Sequence, residues 1–475
     1  MNVSLAPSAA PVTREVRDAR LEPLARRHAL ALAAGAVAAF HLAYAFSSLG
    51  FLIAAYLYCL FQLARLPTAR RGFYTGLAIG YAIYAPHLAF FWTIFGWPSV
   101  ALWSVLAFWL GLFVALASVC RRRLGWPAVL LVPLVWTGLE YFRSELYFLR
   151  FSWLGAGYAF SNSPRIFTAT HLGMYGVGFV LMLSAAVLSR LGRKWRGILA
   201  GAGLAGLAGL ANLPAKAEMV AGRRAVRVAG VQMEVPSPLE VPGALDKLIA
   251  AYPETELIVL SEYTFGDPVP DVVKRWCRRN HRYLIAGGKE FISDTEFYNT
   301  AFVVDPNAEV VFRQVKSVPI QFFKDGRPAP EQRLWESPWG RFGIGICYDL
   351  SYRRVMDELI RQGAQAIIAP TMDVADWGEA QHRLHARVAP VRAAEYGVPI
   401  FRVCSSGISQ LIAPSGRVVA TAPYPGQGAT IAGLLDPAGQ GHRPIDHWLG
   451  PLSVLVTAAM LLWLLGKALL GRSSK

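Results

Sequence analysis

Five cysteines, at positions 59, 120, 277, 347 and 404, are all that 475 residues supply, and no two form a Cys-x-x-Cys pair. That scatter excludes a disulfide scaffold. The histidines show no ligand-like spacing either: His382 and His385 stand i,i+3 with no third ligand nearby, so no metal site is expected. Acidic residues are scarce, with 31 Asp and Glu against 47 Lys and Arg, a formal charge of +16. The apolar stretches hold no acidic residues suited to ion coupling and no inverted repeat, which argues against a transporter. The basic excess does not mark a nucleic-acid binder, because Lys and Arg gather at the ends of apolar segments, where membrane proteins fix their orientation. Residues 1–27 are polar and carry Arg14, Arg17, Arg20, Arg26 and Arg27, but no small-residue cleavage site follows. A signal peptide is therefore not expected.

Apolar residues are abundant. They make up 54% of the chain, with a mean hydropathy of +0.36, above the roughly 45–50% of a soluble domain. Apolar stretches recur at about 28–46, 48–66, 72–96, 99–120, 125–142, 171–190 and 197–213, each near the roughly 20 residues that cross a hydrocarbon core. Basic clusters at 14–27, Arg65/Arg70/Arg71, Arg121 to Arg123 and Arg190 to Arg196 alternate with uncharged turns at Ser47-Ser48 and Trp97-Pro98-Ser99. By the positive-inside tendency, 1–27 is a cytoplasmic segment and 28–213 a seven-span domain that delivers residue 214 to the outer side. A last apolar span, 447–470, returns the C-terminus to the cytoplasm with Lys467, Arg472 and Lys475.

Between them, 224–436 has the composition of an α/β domain. Strands are predicted at 227–232, 256–262, 283–288, 299–304, 309–314, 342–346, 365–369, 399–404 and 417–421. Helices are predicted at 240–252, 268–280, 352–362 and 380–396. Alternating strands and helices with short hairpins imply a layered α/β fold.

Three polar residues in this domain stand at the ends of apolar strands. Glu262 closes Leu257-Ile-Val-Leu-Ser, Lys316 follows the hairpin strand Val310 to Val315, and Cys347 ends Phe342-Gly-Ile-Gly-Ile. A cysteine at a strand-to-helix turn exposes its sulfur, and the helix start favours a thiolate; its bland alternative is a small residue closing a buried strand. A carboxylate to take the thiol's proton and a cation to hold an oxyanion complete one acyl-transfer set.

In order and context these residues resemble the Glu–Lys–Cys triad of the nitrilase (carbon–nitrogen hydrolase) superfamily. Ile346-Cys347-Tyr348-Asp349 matches its cysteine elbow, Val231-Gln232 its first strand, and Arg387 to Gly397 with Ser405-Ser406-Gly407 its late block. The resemblance implies an αββα sandwich with no cofactor. The membrane half resembles one branch, the apolipoprotein N-acyltransferases. It does so through Pro133 to Arg143 with Trp136 and Glu140, Phe148, Phe151-Ser-Trp153, Gly157-Tyr158, Gly173 to Phe179, and Gly72-Phe73 with Gly76 and Gly80. That branch implies a multi-pass bacterial inner-membrane enzyme with its catalytic domain on the periplasmic side. It would take an acyl chain from a phospholipid and give it to a diacylglyceryl lipoprotein. The alternative is a membrane-anchored amidase that gives the acyl group to water.

The family's second glutamate after the lysine is missing, and either Gln321 or Asp325 is expected in its place. The loop from Lys316 to Cys347 is short. Tyr348 and Trp377 are expected to line the lipid cavity, with core filling as the other reading. Glu140 and Arg143 are spaced for an i,i+3 ion pair.

Overall fold

Glycine decides how closely two of the apolar helices approach. The computed structural model describes residues 24–213, 225–437 and 439–470. The helix Ala69–His87 packs along Pro98–Arg123. A Cβ on Gly80 would lie 2.6 Å from Ala107 Cα, and one on Gly76 only 2.7 Å from the Leu110 carbonyl oxygen. Bare glycines let the backbones meet there, the packing that lipid favours. The predicted stretch 72–96 is not one helix: it ends at His87 and restarts as Phe90–Phe95. Pro86 has no N–H to give Ala82, and His41 Nε2 meets the freed carbonyl at 3.1 Å.

The remaining apolar stretches form Arg26–Ala45, Ile53–Leu63, Ala128–Tyr141, Gly173–Leu188, Arg193–Asn212 and Asp446–Leu470. Three helices, Arg26–Ala45, Pro98–Arg123 and Asp446–Lys467, are long and apolar enough to cross a membrane; the apolar helices Ser47–Leu63 and Gly173–Leu188 are shorter. The expected cytoplasmic segment up to residue 23, the outward placement of residue 214, and the terminal charges Arg472 and Lys475 lie outside the described residues.

The second half is a sandwich of two six-stranded sheets. The first holds β1 (Val226–Val231), β2 (Leu257–Val259), β3 (Tyr283–Phe291), β4 (Phe297–Val304) and β5 (Val310–Val315). The second holds β6 (Leu334–Ser337), β7 (Gly340–Ile344), β8 (Ala366–Thr371), β9 (Ile400–Cys404), β10 (Gln410–Ile412) and β11 (Val418–Thr421). The last strand, β12 (Thr430–Leu435), returns to pair antiparallel with β1, giving the order β12-β1-β2-β3-β4-β5. The helices Glu240–Ala251 and Asp271–Asn280 bury their apolar faces on the first sheet, and Arg353–Arg361 and Val388–Tyr396 cover the second. The architecture is αββα. The predicted helix 380–396 is two, Gly378–Ala386 and Val388–Tyr396, with Pro390 in the first turn of the second, where a missing N–H is tolerated.

Buried charges fasten the halves together. Glu145, on the membrane side, accepts from the Arg353 backbone N–H at 3.1 Å and from the Tyr175 hydroxyl at 2.8 Å. Asp446, at the start of the last helix, pairs with the Arg353 guanidinium and accepts from Tyr175 N at 2.9 Å. Arg392 pairs with Glu395 and donates to the carbonyls of Leu350 and Ser351, both at 2.8 Å. Glu395 in turn accepts from Met174 N at 2.9 Å. The expected Glu140–Arg143 pair does not form: Glu140 accepts from Ala156 N at 2.8 Å, and Arg143 donates to the Phe151 carbonyl at 3.2 Å.

Candidate active site

Strand ends bring the polar residues together. The chain leaves β2 and turns across β3, where a Cβ on Gly287 would sit 2.6 Å from Glu262 Cα, so only glycine admits the crossing. Glu262 is buried. Its Oε1 accepts from Lys316 Nζ at 2.8 Å and Asn299 Nδ2 at 2.6 Å, and its Oε2 from Met372 N at 2.9 Å. Burial raises its carboxyl above the ordinary value, Lys316 opposes that, and Asp325 adds to it.

Lys316 follows β5 directly and is wholly buried. Its ammonium donates also to Asp325 Oδ2 at 2.7 Å. Burial works to lower its pKa, but the charges of Asp325 and Glu262 overcome this and hold it well above the usual lysine value. Asp325 further accepts from Tyr263 OH at 2.8 Å, Asn299 Nδ2 at 2.9 Å and Ile320 N at 2.7 Å. Of the two residues the sequence offered beside Lys316, Asp325 is the one in contact with it. Gln321 points away, with Nε2 3.4 Å from the Phe148 carbonyl.

Cys347 follows β7 at φ +52°, a left-handed conformation that a non-glycine residue rarely adopts. Its Sγ donates to the Met372 carbonyl at 3.7 Å, so one residue, Met372, contacts both Cys347 and Glu262. The expectation of a helix-stabilised thiolate is corrected. A short 3₁₀ turn, Cys347–Ser351, separates the sulfur from the start of the helix Arg353–Arg361, and burial, with the Glu262 charge beside it, raises the thiol well above its ordinary pKa.

Asp349 clamps the elbow to the lysine loop. It accepts from the N–H groups of Val318 at 2.7 Å, Ser317 at 3.0 Å and Ile346 at 3.0 Å. Burial pushes its carboxyl up to about 6, against Lys316 and these N–H groups. A folded pKa above the unfolded value of about 3.9 means stability falls as pH rises from about 4 and levels off above about 6. From pH 4 to 7 the wild type should therefore lose up to about 3 kcal/mol of stability relative to Asp349→Asn. Unfolding in detergent followed across that range measures the difference, and parallel curves for the two proteins would refute it.

Cys347 lies in the wall of a pocket enclosing about 840 Å³ of space, open solvent included, that runs to the membrane helices, where Phe90, Phe95 and Leu106 line it. Tyr348, Trp377 and Gln321, the other expected site residues, line it too. Tyr348 OH donates to the Arg150 carbonyl at 3.2 Å, and Trp377 packs on Phe323 with ring centroids 5.9 Å apart. Phe95 meets Phe322 and Phe323 at 6.0 and 5.7 Å. The sequence reading missed Asn299, the Asp349 clamp and a buried cluster of Asp373, His385 and Arg402. Asn299 carried a signal, a polar side chain inside the apolar run of β4.

Two family models match the chain in turn: apolipoprotein N-acyltransferase N-terminal domain over residues 34–187 and carbon–nitrogen hydrolase over 215–438. An apolipoprotein N-acyltransferase of Pseudomonas paraeruginosa is 28% identical over 94% of this chain and 96% of its own length. One of Geobacter metallireducens is 24% identical over 74% of this chain and 79% of its own. Among solved structures, Saccharomyces cerevisiae Nit3 aligns with 45% of this chain and 90% of its own at 20% identity and a TM-score of 0.39. An amidase from Nesterenkonia sp. AN1 aligns with 46% and 94% at 16% identity and a TM-score of 0.40. The two domain models match one after the other and relatives align across nearly the whole length, so the chain carries the two domains of the apolipoprotein N-acyltransferases in their order.

Proposed function

We propose that this chain moves an acyl chain from a phospholipid, through a thioester on Cys347, to the N-terminal amine of an S-diacylglyceryl-cysteine lipoprotein. One observation carries the reading: the sulfur lies in an aromatic, apolar cavity that continues among the membrane helices. A small hydrophilic amide needs no such space, and an acyl chain does.

Glu262 takes the thiol proton as Sγ attacks the donor ester carbonyl. Lys316 Nζ and the N–H of Tyr348 hold the oxyanion, each donor contributing about 3–4 kcal/mol in comparable sites. Collapse expels the lysophospholipid, which takes the proton from Glu262, and leaves the acyl group on sulfur. The amine then displaces the thiolate, forming an amide. Seven spans before the catalytic domain and one after it, with that domain on the periplasmic face of a bacterial inner membrane, would set the cavity's mouth at the lipid boundary.

The test is to incubate the full chain in detergent with a phospholipid radiolabelled in its acyl chain, then add a diacylglyceryl peptide with a free α-amine. Label should attach to Cys347 and move to the peptide. Label that never attaches overturns the phospholipid donor, and label released only as fatty acid makes the protein a hydrolase.

A further inference from the structure

Among the groups lining the cavity, one histidine has no task in the chemistry above. His385, on the helix Gly378–Ala386, faces the same cavity as Cys347 and is only 2% exposed. Its ring stacks on Trp153, centroids 4.6 Å apart and planes 13° from parallel. Nδ1 lies 2.7 Å from Asp373 Oδ1. Burial alone would raise the Asp373 carboxyl, but His385 and Arg402 hold it well below the usual range, so it is a carboxylate. A carboxylate oxygen that close requires a proton on Nδ1. Arg402 Nη2, 3.0 Å from the same nitrogen, already donates to Asp373 Oδ2 at 2.6 Å.

Burial lowers the imidazole pKa against the pull of Asp373, which favours the neutral ring with its proton on Nδ1. Its Nε2 therefore carries a lone pair, and that atom has no hydrogen-bond partner among the described residues. The charged and titratable groups around it are Asp373 and Arg402 at the ring itself, with Lys316, Cys347, Tyr348 and Arg150 in or beside the cavity. Glu262, by contrast, already accepts three hydrogen bonds.

The geometry points to His385 as the proton acceptor for the amine that resolves the thioester, an assignment that rests on the acyl-transfer reading. The α-amine has an ordinary pKa of about 7.7–8.0 and arrives largely as an ammonium at pH 7. Two protons must leave that nitrogen to make an amide, and Glu262 holds one at a time. The first passes to His385 Nε2, giving an imidazolium paired with Asp373. The freed lone pair then attacks the thioester carbon, forming the C–N bond. On collapse the C–S bond breaks with its electron pair going to Sγ, and the second nitrogen proton reaches Sγ through Glu262. The products are the amide, the Cys347 thiol and one proton that leaves His385 for solvent.

His385→Asn keeps a side-chain N–H for Asp373 and has no basic nitrogen, while His385→Gln serves should that variant not fold. Both are assayed as full chains in detergent, with labelled phospholipid for acylation and diacylglyceryl peptide for transfer. Either variant should slow transfer at pH 7 about 100-fold more than it slows acylation, in line with loss of a general base. The deficit should shrink toward pH 9, where the peptide amine is neutral in solution. Equal slowing of both steps, a deficit that does not change with pH, or unimpaired transfer would each overturn the assignment alone. A wild-type protein that never takes label overturns the acyl-transfer reading as well.

Discussion

Cys347→Ala should carry no label from an acyl-labelled phospholipid and pass none to an amine, a loss of about 10⁴-fold or more. Removing the nucleophile in comparable covalent mechanisms costs that much, because remaining donors and binding supply only the residual rate. Cys277→Ser and Cys404→Ser should keep the activity. Their thiols are buried as well, Cys277 pushed up to about 12 by desolvation and Cys404 higher still. What separates Cys347 is company: it alone has the Met372 carbonyl at 3.7 Å, Glu262 held by that same residue, and an open cavity in front of it. A labelled Cys347→Ala protein would move the chemistry to another residue.

Lys316→Met should cost both stability and rate. The lysine is the counter-ion of two buried carboxylates, at 2.8 and 2.7 Å. Deleting one partner of a buried charge set typically destabilises by about 3–5 kcal/mol, because the others lose compensation. Activity should fall a further 10²- to 10³-fold through the lost oxyanion donor. The double variant Lys316→Met/Asp325→Asn separates the two effects. Removing the second negative charge should recover much of the thermal stability in detergent while transfer stays at the single variant's rate. Recovery of transfer with stability would show that Lys316 serves folding only.

The three residues were legible from their places just after Leu257-Ile-Val-Leu-Ser, Val310 to Val315 and Phe342-Gly-Ile-Gly-Ile, which overlap or lead out of β2, β5 and β7. The choice between Gln321 and Asp325 was not, since it depends on how the loop after Pro319 folds back. Only Asp325 returns to Asn299 and Lys316. The Asp373–His385–Arg402 cluster stayed hidden because its members come from the end of β8, a separate helix and β9, and no local pattern links them. In the fold, β6, β10 and β12 escaped notice as three- to six-residue strands. β12 is held by partners rather than by its own pattern: it pairs along the whole of β1, and Gly433 lies against Leu411. The break of 72–96 at His87 was signalled by Pro86 but needed His41 on another helix to satisfy the carbonyl it frees.

The charges that fasten the two halves bear on how the protein can be handled. Arg353 finds its counter-charge at Asp446, and the N-terminal half's Met174 caps Glu395, the partner of Arg392. A catalytic half excised as a water-soluble fragment would carry Arg353 stripped of Asp446, and an elbow turn released from Trp153, which now donates to Ser351 Oγ at 3.0 Å. Such a fragment would be a poor surrogate for the intact enzyme in crystallisation or inhibitor screening. The smallest working unit therefore keeps the stretch 145–175, which supplies Glu145, Trp153, Met174 and Tyr175, and the helix Asp446–Leu470.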